Sequence, residues 1–213
     1  VAPESATRIC VGKAPGAHSF RQEEINGLLV HLAGAGKYVV RLKGGDPFIF
    51  GRGCEEIERL NEAGISWSVV PGVTAAQGCA ASAGVPLTHR GLARSVRYVT
   101  GHCRADEPLD LDWASLADPM PTLVFYMGHA AAPDISRELV AHGLSGDTPA
   151  LCISQGTLPQ ERRVSTRLDR LDADLKRARL PGPLLIMIGR ALGLALRDGK
   201  IGEMARAADG AFA

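Results

Sequence analysis

The sequence lacks the patterns by which metal-binding and disulfide-stabilised proteins are usually recognised. Its five cysteines are odd in number and widely spaced, and they form no CxxC pair, which argues against a disulfide framework and against a zinc ribbon. The six histidines show no HExxH spacing, so we expect no metal. We interpret the cysteines as small buried hydrophobic residues.

Long apolar runs and strong net charge are also missing. No stretch of about eighteen apolar residues occurs, so no membrane-spanning segment is predicted. The first residues, VAPESATRIC, lack the basic and apolar regions of a secretory signal, and we expect a cytoplasmic location. The formal net charge is +1, so nucleic acid is not an expected partner. Any anion site must therefore come from a local cluster of arginines.

The first half of the chain has the pattern of three strand–helix units. Ile25, Leu28, Leu29 and Leu32 follow the i, i+3, i+4, i+7 spacing of an amphipathic helix. Repeated strand–helix units predict an α/β fold with a parallel sheet. The expected strands are 8–11, 38–42 and 65–70, and the helix after the last one carries the capping-box spelling of Thr74 and Gln77.

The second half has more strands for each helix, which predicts a mixed sheet. The string GVPLTHRGLAR, residues 84–94, breaks both periodicities and indicates a linker. We therefore predict two α/β domains, residues 1–93 and 94–213, with a cleft between them. The expected strands of the second domain are 95–100, 122–127, 150–154, 162–168 and 184–188, and its expected helix is 134–141.

The stretch from Val39 to Glu56, VVRLKGGDPFIFGRGCEE, concentrates the chemistry of the chain. A short apolar run predicts a buried strand, and Gly44 and Gly45 then allow the backbone to turn sharply and touch a ligand. Asp46 offers a carboxylate just beyond the strand end, where open α/β sheets bind small molecules. On this chemistry alone, an ordinary glycine turn is an equally good interpretation.

The whole string LKGGDPFIFGRG resembles the signature of the tetrapyrrole methylase family, and within it the enzymes that methylate uroporphyrinogen III. The similarity continues through PGVTAA, PLTHRG, VTGH, FYMG and GPLLIMIG and covers nearly the whole chain. The resemblance implies two α/β domains with the cofactor in the cleft between them, and a homodimer. It also implies methyl transfer from S-adenosylmethionine (SAM) to two pyrrole carbons, giving precorrin-2 for siroheme and cobalamin synthesis.

Matched residue by residue, the resemblance implies SAM contacts in four separate segments. Two of these matches have simpler interpretations from the residues alone, since Met127 could pack in a core and Gly156 could form a plain turn. The start of the helix after PGV also offers free N–H groups. The implied SAM-binding residues are Gly44, Gly45, Asp46, Ile49, Thr74, Ala75, Met127 and Gly156.

The implied substrate is a macrocycle fringed by carboxylates, so its pocket needs arginines, which form bidentate pairs with carboxylates. Arg52 is the main candidate, because it stands between two glycines beside the SAM loop. Arg90, in the linker, is the second, and His102 is weaker, as is His18. Glu55, three residues after Arg52, could orient its guanidinium.

The catalytic groups are implied by the resemblance alone. The family pattern places a proton donor at the lysine of VGK, here Lys13, and a buried lysine can titrate near neutral pH. Family members normally begin with a strand, a GAGPGD-type loop and a catalytic aspartate. We expect these upstream parts to be missing, and neither that loop nor the aspartate can be assigned to a residue of this sequence.

Three alternatives remain beside this interpretation. A nucleotide-binding protein is disfavoured, because Glu56 stands where the dinucleotide fingerprint needs its third glycine and no Walker loop is spelled correctly. The chain could instead be another tetrapyrrole methylase that acts on a later precorrin, or a relative of diphthine synthase. It could also be a fragment that binds SAM without activity.

Overall fold

The structure is a computed structural model that describes residues 3–12, 20–102 and 109–194. Two compact units divide the chain, the first ending at Gly72 and the second beginning at Val73. The division after residue 93, the cleft and the arrangement of two domains stay predictions. The helices are α1 Gln22–Gly34, α2 Gly53–Glu62, α3 Ala75–Ala83, α4 Trp113–Leu116, α5 Ala132–Ala141 and α6 Leu171–Ala178, with single 3₁₀ turns at Leu168–Arg170 and Arg190–Leu192.

A five-stranded sheet forms the centre of the second unit, with the order β1-β2-β5-β3-β4. β1 and β2 are parallel, whereas the other neighbouring strands are antiparallel. The prediction of a mixed sheet is confirmed, and so is the α/β fold class. The strands are β1 Val96–Thr100, β2 Thr122–Tyr126, β3 Pro149–Ser154, β4 Arg162–Arg167 and β5 Leu184–Ile188, each within two residues of its predicted position.

Both faces of this sheet are covered, because successive side chains of a strand point to opposite faces. On one face, Phe125 and Ile186 belong to a buried cluster that includes the buried apolar residues of α5. On the other face, Val124 and Met187 pack with the buried residues of α3. Burying each such side chain stabilises the fold by about 1.5–3 kcal/mol. The sheet is thereby a rigid support for the loops at its edges.

The first unit is built around a buried carboxylate. Glu56 on α2 is only 6% exposed, and its Oε1 accepts hydrogen bonds from Lys43 Nζ at 2.8 Å and Arg41 Nε at 3.3 Å. From α1, the amide of Gln22 also donates to Glu56 Oε1 at 3.3 Å and to Asn26 Oδ1 at 2.9 Å. This polar network holds the segment before the glycine loop against both helices.

The strands predicted in the first unit are wrong. Residues 8–11, 38–42 and 65–70 form no strand, although all of them lie in the described ranges. Tyr38, Val40 and Leu42 are 97%, 72% and 67% exposed, so the predicted buried strand is also wrong. Their alternating apolar pattern suits a pleated surface, but a strand exists only when its backbone groups pair with a neighbour. Within the described part of the first unit, no such neighbour is present.

The helices agree better with the sequence pattern. α1 lies where the spacing of apolar residues predicted it, α2 and α3 are the helices of the next two expected strand–helix units, and α5 covers the expected helix 134–141. α6 is not among the predicted helices; it buries Leu171 and Leu175 one turn apart, and its lysine and arginine side chains are exposed. No helix in the described ranges is long and apolar enough to cross a membrane.

Candidate functional site

The glycine loop of the first unit is closed by the carboxylate of Asp46. Its Oδ1 accepts a hydrogen bond from the backbone N–H of Phe48 at 2.9 Å, and its Oδ2 accepts one from Gly72 at 3.1 Å. These bonds, Gly72 first, lower the pKa of Asp46 below its ordinary value, because they stabilise the ionised form. Asp46 therefore connects its own loop to the Pro71–Gly72 turn, a structural role that the sequence did not indicate.

Backbone contact between the two segments explains why Gly72 has no side chain. A Cβ at this position would overlap the carbonyl oxygen of Gly45, and a backbone atom cannot easily move away. Gly45 itself has φ +72°, a conformation that glycine adopts without strain. The loop continues with a hydrogen bond from Ile49 N to Asp46 O at 3.3 Å. Gly44, Gly45, Asp46 and Ile49 thus belong to one braced loop.

Arg52 and Glu55 form a bidentate ion pair at the start of α2. Arg52 Nε donates to Glu55 Oε1 at 2.7 Å, and Nη2 donates to Oε2 at 2.6 Å. The pairing raises the pKa of Arg52 and lowers that of Glu55. The contact expected from their spacing is therefore present, although its role in binding a substrate stays a prediction. Nη1 of Arg52 makes no hydrogen bond to any described residue.

Arg52 also adopts an unusual backbone conformation, with φ +58° immediately before α2. Left-handed conformations are uncommon for residues with a Cβ and are worth a functional explanation. The backbone of Pro47 packs closely against Gly51 and Gly53, on either side of Arg52. A Cβ on either glycine would approach Pro47 O too closely. The chain therefore presents this guanidinium from a tight turn, with its side chain 54% exposed.

In the second unit, the start of α3 is joined to the end of β2 through Tyr126. The Tyr126 hydroxyl lies 2.6 Å from Thr74 Oγ1 and accepts a hydrogen bond from Ala76 N at 3.1 Å. The side chain of Thr74 makes no cap bond to its own helix, so the predicted capping box at Thr74 is wrong: its hydroxyl is engaged by Tyr126 instead. Ala75 follows as the exposed first residue of the helix.

Met127 follows Tyr126 directly, at the carboxyl end of β2. Its φ is +56° and it is 51% exposed, which excludes the simpler interpretation of Met127 as a core residue. Gly101, after β1, donates a backbone hydrogen bond to Tyr126 O at 2.7 Å. The strand ends are therefore packed backbone against backbone where Met127 emerges.

The loop after β3 lies directly on α3. A Cβ on Gly156 would overlap the Sγ of Cys79, and burial raises the pKa of this thiol to about 11. The flanking residues Gln155 and Thr157 have φ +50° and +66°. Thr74 and Gly156 thus lie against α3, and Met127 directly follows Tyr126, whose hydroxyl contacts Thr74.

Replacing Gly156 by alanine is expected to lower the free energy of unfolding by about 1–3 kcal/mol, because the new methyl group overlaps Cys79 Sγ. A second change, Cys79→Ala, should recover most of this loss. The alanine Cβ would then lie 3.5 Å from the Cβ at position 79 and 3.3 Å from Ile153 Cγ2. Thermal unfolding of both single variants and the double variant measures the coupling; additive losses would contradict the contact.

Several predicted site residues lie apart from these loops, and others lie outside the residues that the structure describes. Arg90 is exposed in the turn enclosed by a bridge between His89 and Ala93. His102 is exposed and donates its N–H to Thr100 Oγ1 at 3.2 Å. Lys13 and His18 lie outside the described residues. Among the residues that are described, no group of three His, Cys, Asp or Glu side chains could hold a metal ion.

Comparison with known proteins places this architecture in a family. Residues 2–172 match the Tetrapyrrole (Corrin/Porphyrin) Methylases. A uroporphyrinogen-III C-methyltransferase of Paracoccus denitrificans is 54% identical over 91% of this chain and 67% of its own length. A siroheme synthase of Hahella chejuensis is 51% identical over 89% of this chain. The chain spans only 40% of that longer protein.

Solved structures give the same result. The crystal structure of a uroporphyrin-III C-methyltransferase from Thermus thermophilus, complexed with S-adenyl homocysteine, superimposes with a TM-score of 0.70 at 38% identity. The alignment covers 81% of this chain and 75% of that one. The fold is that of a methyltransferase, the enzyme class that the sequence predicted. The chain belongs to the tetrapyrrole methylase family.

Proposed function

We propose that this chain uses SAM to methylate uroporphyrinogen III at two pyrrole carbons, giving precorrin-2 for siroheme and cobalamin synthesis. The observation that carries the proposal is the position of Arg52. It is fixed by two hydrogen bonds to Glu55 and follows, six residues later, the carboxylate that closes the glycine loop. The 54% identity to the Paracoccus enzyme supports the choice of substrate.

SAM is the methyl donor in this proposal, and its proposed contacts lie in loops and at one helix start. The glycine loop supplies backbone groups that can approach the donor closely, because two of its residues lack side chains. The start of α3, Met127 after β2 and Gly156 after β3 supply the remainder. The proposed contacts are Gly44, Gly45, Asp46, Ile49, Thr74, Ala75, Met127 and Gly156.

The reaction joins a methyl carbon of the donor to a pyrrole carbon while the bond from that methyl to sulfur breaks. Holding nucleophile, methyl carbon and sulfur in line can supply most of the acceleration. Arg52, Arg90 and His102 bind substrate carboxylates in this scheme, and Glu55 orients Arg52. One proton must leave the methylated substrate and another must be delivered to it; in this scheme Lys13 is the donor of the second proton.

The setting of the enzyme is also part of the proposal. The proposed enzyme is a cytoplasmic homodimer that acts on a small tetrapyrrole substrate. Nucleic acid and membranes are not expected partners. Light scattering at micromolar concentration checks the dimer directly.

The test is methyl transfer by the full chain. Incubation with methyl-labelled SAM and uroporphyrinogen III under anaerobic conditions is expected to place label on the tetrapyrrole and to raise its mass by two methyl groups. Transfer to a precorrin but not to uroporphyrinogen III would replace the substrate assignment. Binding of S-adenosylhomocysteine without transfer to either compound would identify a chain that binds the donor but is inactive.

A further inference from the structure

Glu161 is an acidic residue of the second unit that lies between the loop after β3 and the last turn of α3. Its Oε2 accepts hydrogen bonds from the backbone N–H of Thr157 and from Ser82 Oγ, both at 2.6 Å. Its Oε1 is paired with Arg163. Only 9% of the Glu161 side chain is exposed, so the carboxylate is committed to these partners.

Arg163 completes the connection from the other side. Its Nη2 donates to the backbone carbonyl of Ser82 at 2.7 Å and to Ser82 Oγ at 3.0 Å. Only 13% of its side chain is exposed, and its buried Nη1 has no partner within the described part of the chain. A buried ion pair with an unsatisfied donor is poor evidence for added stability, so this pair needs another explanation.

The geometry of the loop provides one. Gln155 and Thr157 both have left-handed backbones, with φ +50° and +66°. For a β-branched residue such as threonine this is a genuine outlier, and such conformations persist only when the surroundings impose them. At Thr157, the backbone N–H is held in place by its hydrogen bond to Glu161 Oε2.

Packing against α3 also fixes the loop of residues 155–157. Gly156 lies against Cys79, and a Cβ on Gly78 would come within 3.3 Å of Thr157 Cγ2. Ser82 belongs to the same helix, one turn further on. The loop is therefore bound to α3 at two successive turns, once by close contact and once through the carboxylate of Glu161.

We propose that Glu161, held by Arg163 and Ser82, is a positioning residue for the methyl donor, because it sets the backbone conformation in which Gly156 meets that donor. The inference rests on the proposed function, in which Gly156 contacts SAM. Glu161 does not itself touch the donor. Burial raises the pKa of its carboxyl, but the bonds from Ser82, Thr157 and Arg163 together lower it below its ordinary value. Glu161 therefore remains ionised at neutral pH and keeps its acceptors.

The test compares Glu161→Gln with a matched control, Asp174→Asn. Asp174 accepts a hydrogen bond from Thr166 Oγ1 at 2.5 Å, so it is also an acid paired with a residue of β4, but it makes no hydrogen bond to the loop. We expect Glu161→Gln to weaken binding of S-adenosylhomocysteine by about tenfold or more, the scale of a lost charge-assisted hydrogen bond. Asp174→Asn should leave this affinity within about twofold.

Two further readouts separate positioning from general destabilisation. Hydrogen exchange of the peptide that contains residues 155–157 should become faster in Glu161→Gln and stay unchanged in Asp174→Asn. The KM for SAM should rise while kcat changes little, as expected when only donor binding is affected. If Glu161→Gln fails to fold, Ser82→Ala, which keeps the ion pair, should show the same effects at smaller size.

The outcomes distinguish the two levels of the proposal. A folded Glu161→Gln variant with wild-type affinity and wild-type exchange would overturn the positioning role, and so would an equal loss in Asp174→Asn. A wild-type chain that does not bind S-adenosylhomocysteine would overturn the proposed function and the link to the donor. Exchange at residues 155–157 would then still decide whether Glu161 holds the loop.

Discussion

Replacing Arg52 by lysine is expected to lower kcat/KM for uroporphyrinogen III by about a hundredfold while the affinity for SAM stays close to that of the wild type. Lysine keeps the positive charge but loses the planar fork with which arginine pairs to Glu55 and to a carboxylate. A misplaced substrate of this kind typically costs about a hundredfold in rate. Arginine and lysine both carry a Cβ, so the left-handed backbone at position 52 is equally unfavourable in the wild type and in the Arg52→Lys variant.

Arg59→Lys provides the control on the same helix. Arg59 pairs with Glu62 three residues later, as Arg52 does with Glu55, but both partners are more than half exposed and lie one to two turns along α2. Steady-state methyl transfer and calorimetric SAM binding are measured for both variants. An Arg52→Lys enzyme with full activity would remove Arg52 from the substrate site. Loss of SAM binding with unchanged use of substrate would reassign it to the donor.

Replacing Glu56 by alanine is expected to destabilise the first unit by about 3–5 kcal/mol, because it leaves buried charges without their partner. Lys43 is 11% exposed and Arg41 is 29% exposed in their side chains, and both donate to Glu56. The amide of Gln22 loses an acceptor as well. The loss should therefore be far larger than that of an exposed ion pair on the same helix.

Because each unit contains one tryptophan, fluorescence can follow the unfolding of the first unit by itself. Trp67 belongs to the first unit and donates to Asn61 Oδ1 at 2.7 Å, whereas Trp113 begins α4 in the second. In a Trp113→Phe background, fluorescence during urea unfolding reports on Trp67 alone. Glu62→Ala, which removes an exposed pair, should change stability by less than about 1 kcal/mol. Equal losses for the two glutamates would contradict the network.

The strands of the second unit could be predicted because each one carries its own signal. β5, for example, is the apolar run LLIMI between glycine–proline and glycine, and all its residues are buried. The strands of the first unit carry a similar signal at Val40 and Leu42, yet no strand forms. Alternation reports the preference of a segment for a pleated surface, but pairing depends on a neighbour elsewhere in the chain.

The candidate site divides in the same way between local and distant information. The pairing of Arg52 with Glu55 follows from a separation of three residues at a helix start. The glycines before Arg52 likewise predict the loop that precedes the helix. Tyr126 binds Thr74 across 52 positions, and Glu161 binds Ser82 across 79. No periodicity or short motif encodes such contacts, because they arise only when β2, β4 and α3 are packed together.

The contact between Gly156 and Cys79 also restricts the order in which these positions can change during evolution. A larger residue at position 156 meets the sulfur of Cys79, so that substitution is acceptable only after position 79 has become smaller. Substitution at position 79 can come first, since a smaller residue there leaves Gly156 undisturbed. Sequences that diverge from this one should therefore pass through alanine or glycine at position 79 before they acquire any side chain at position 156.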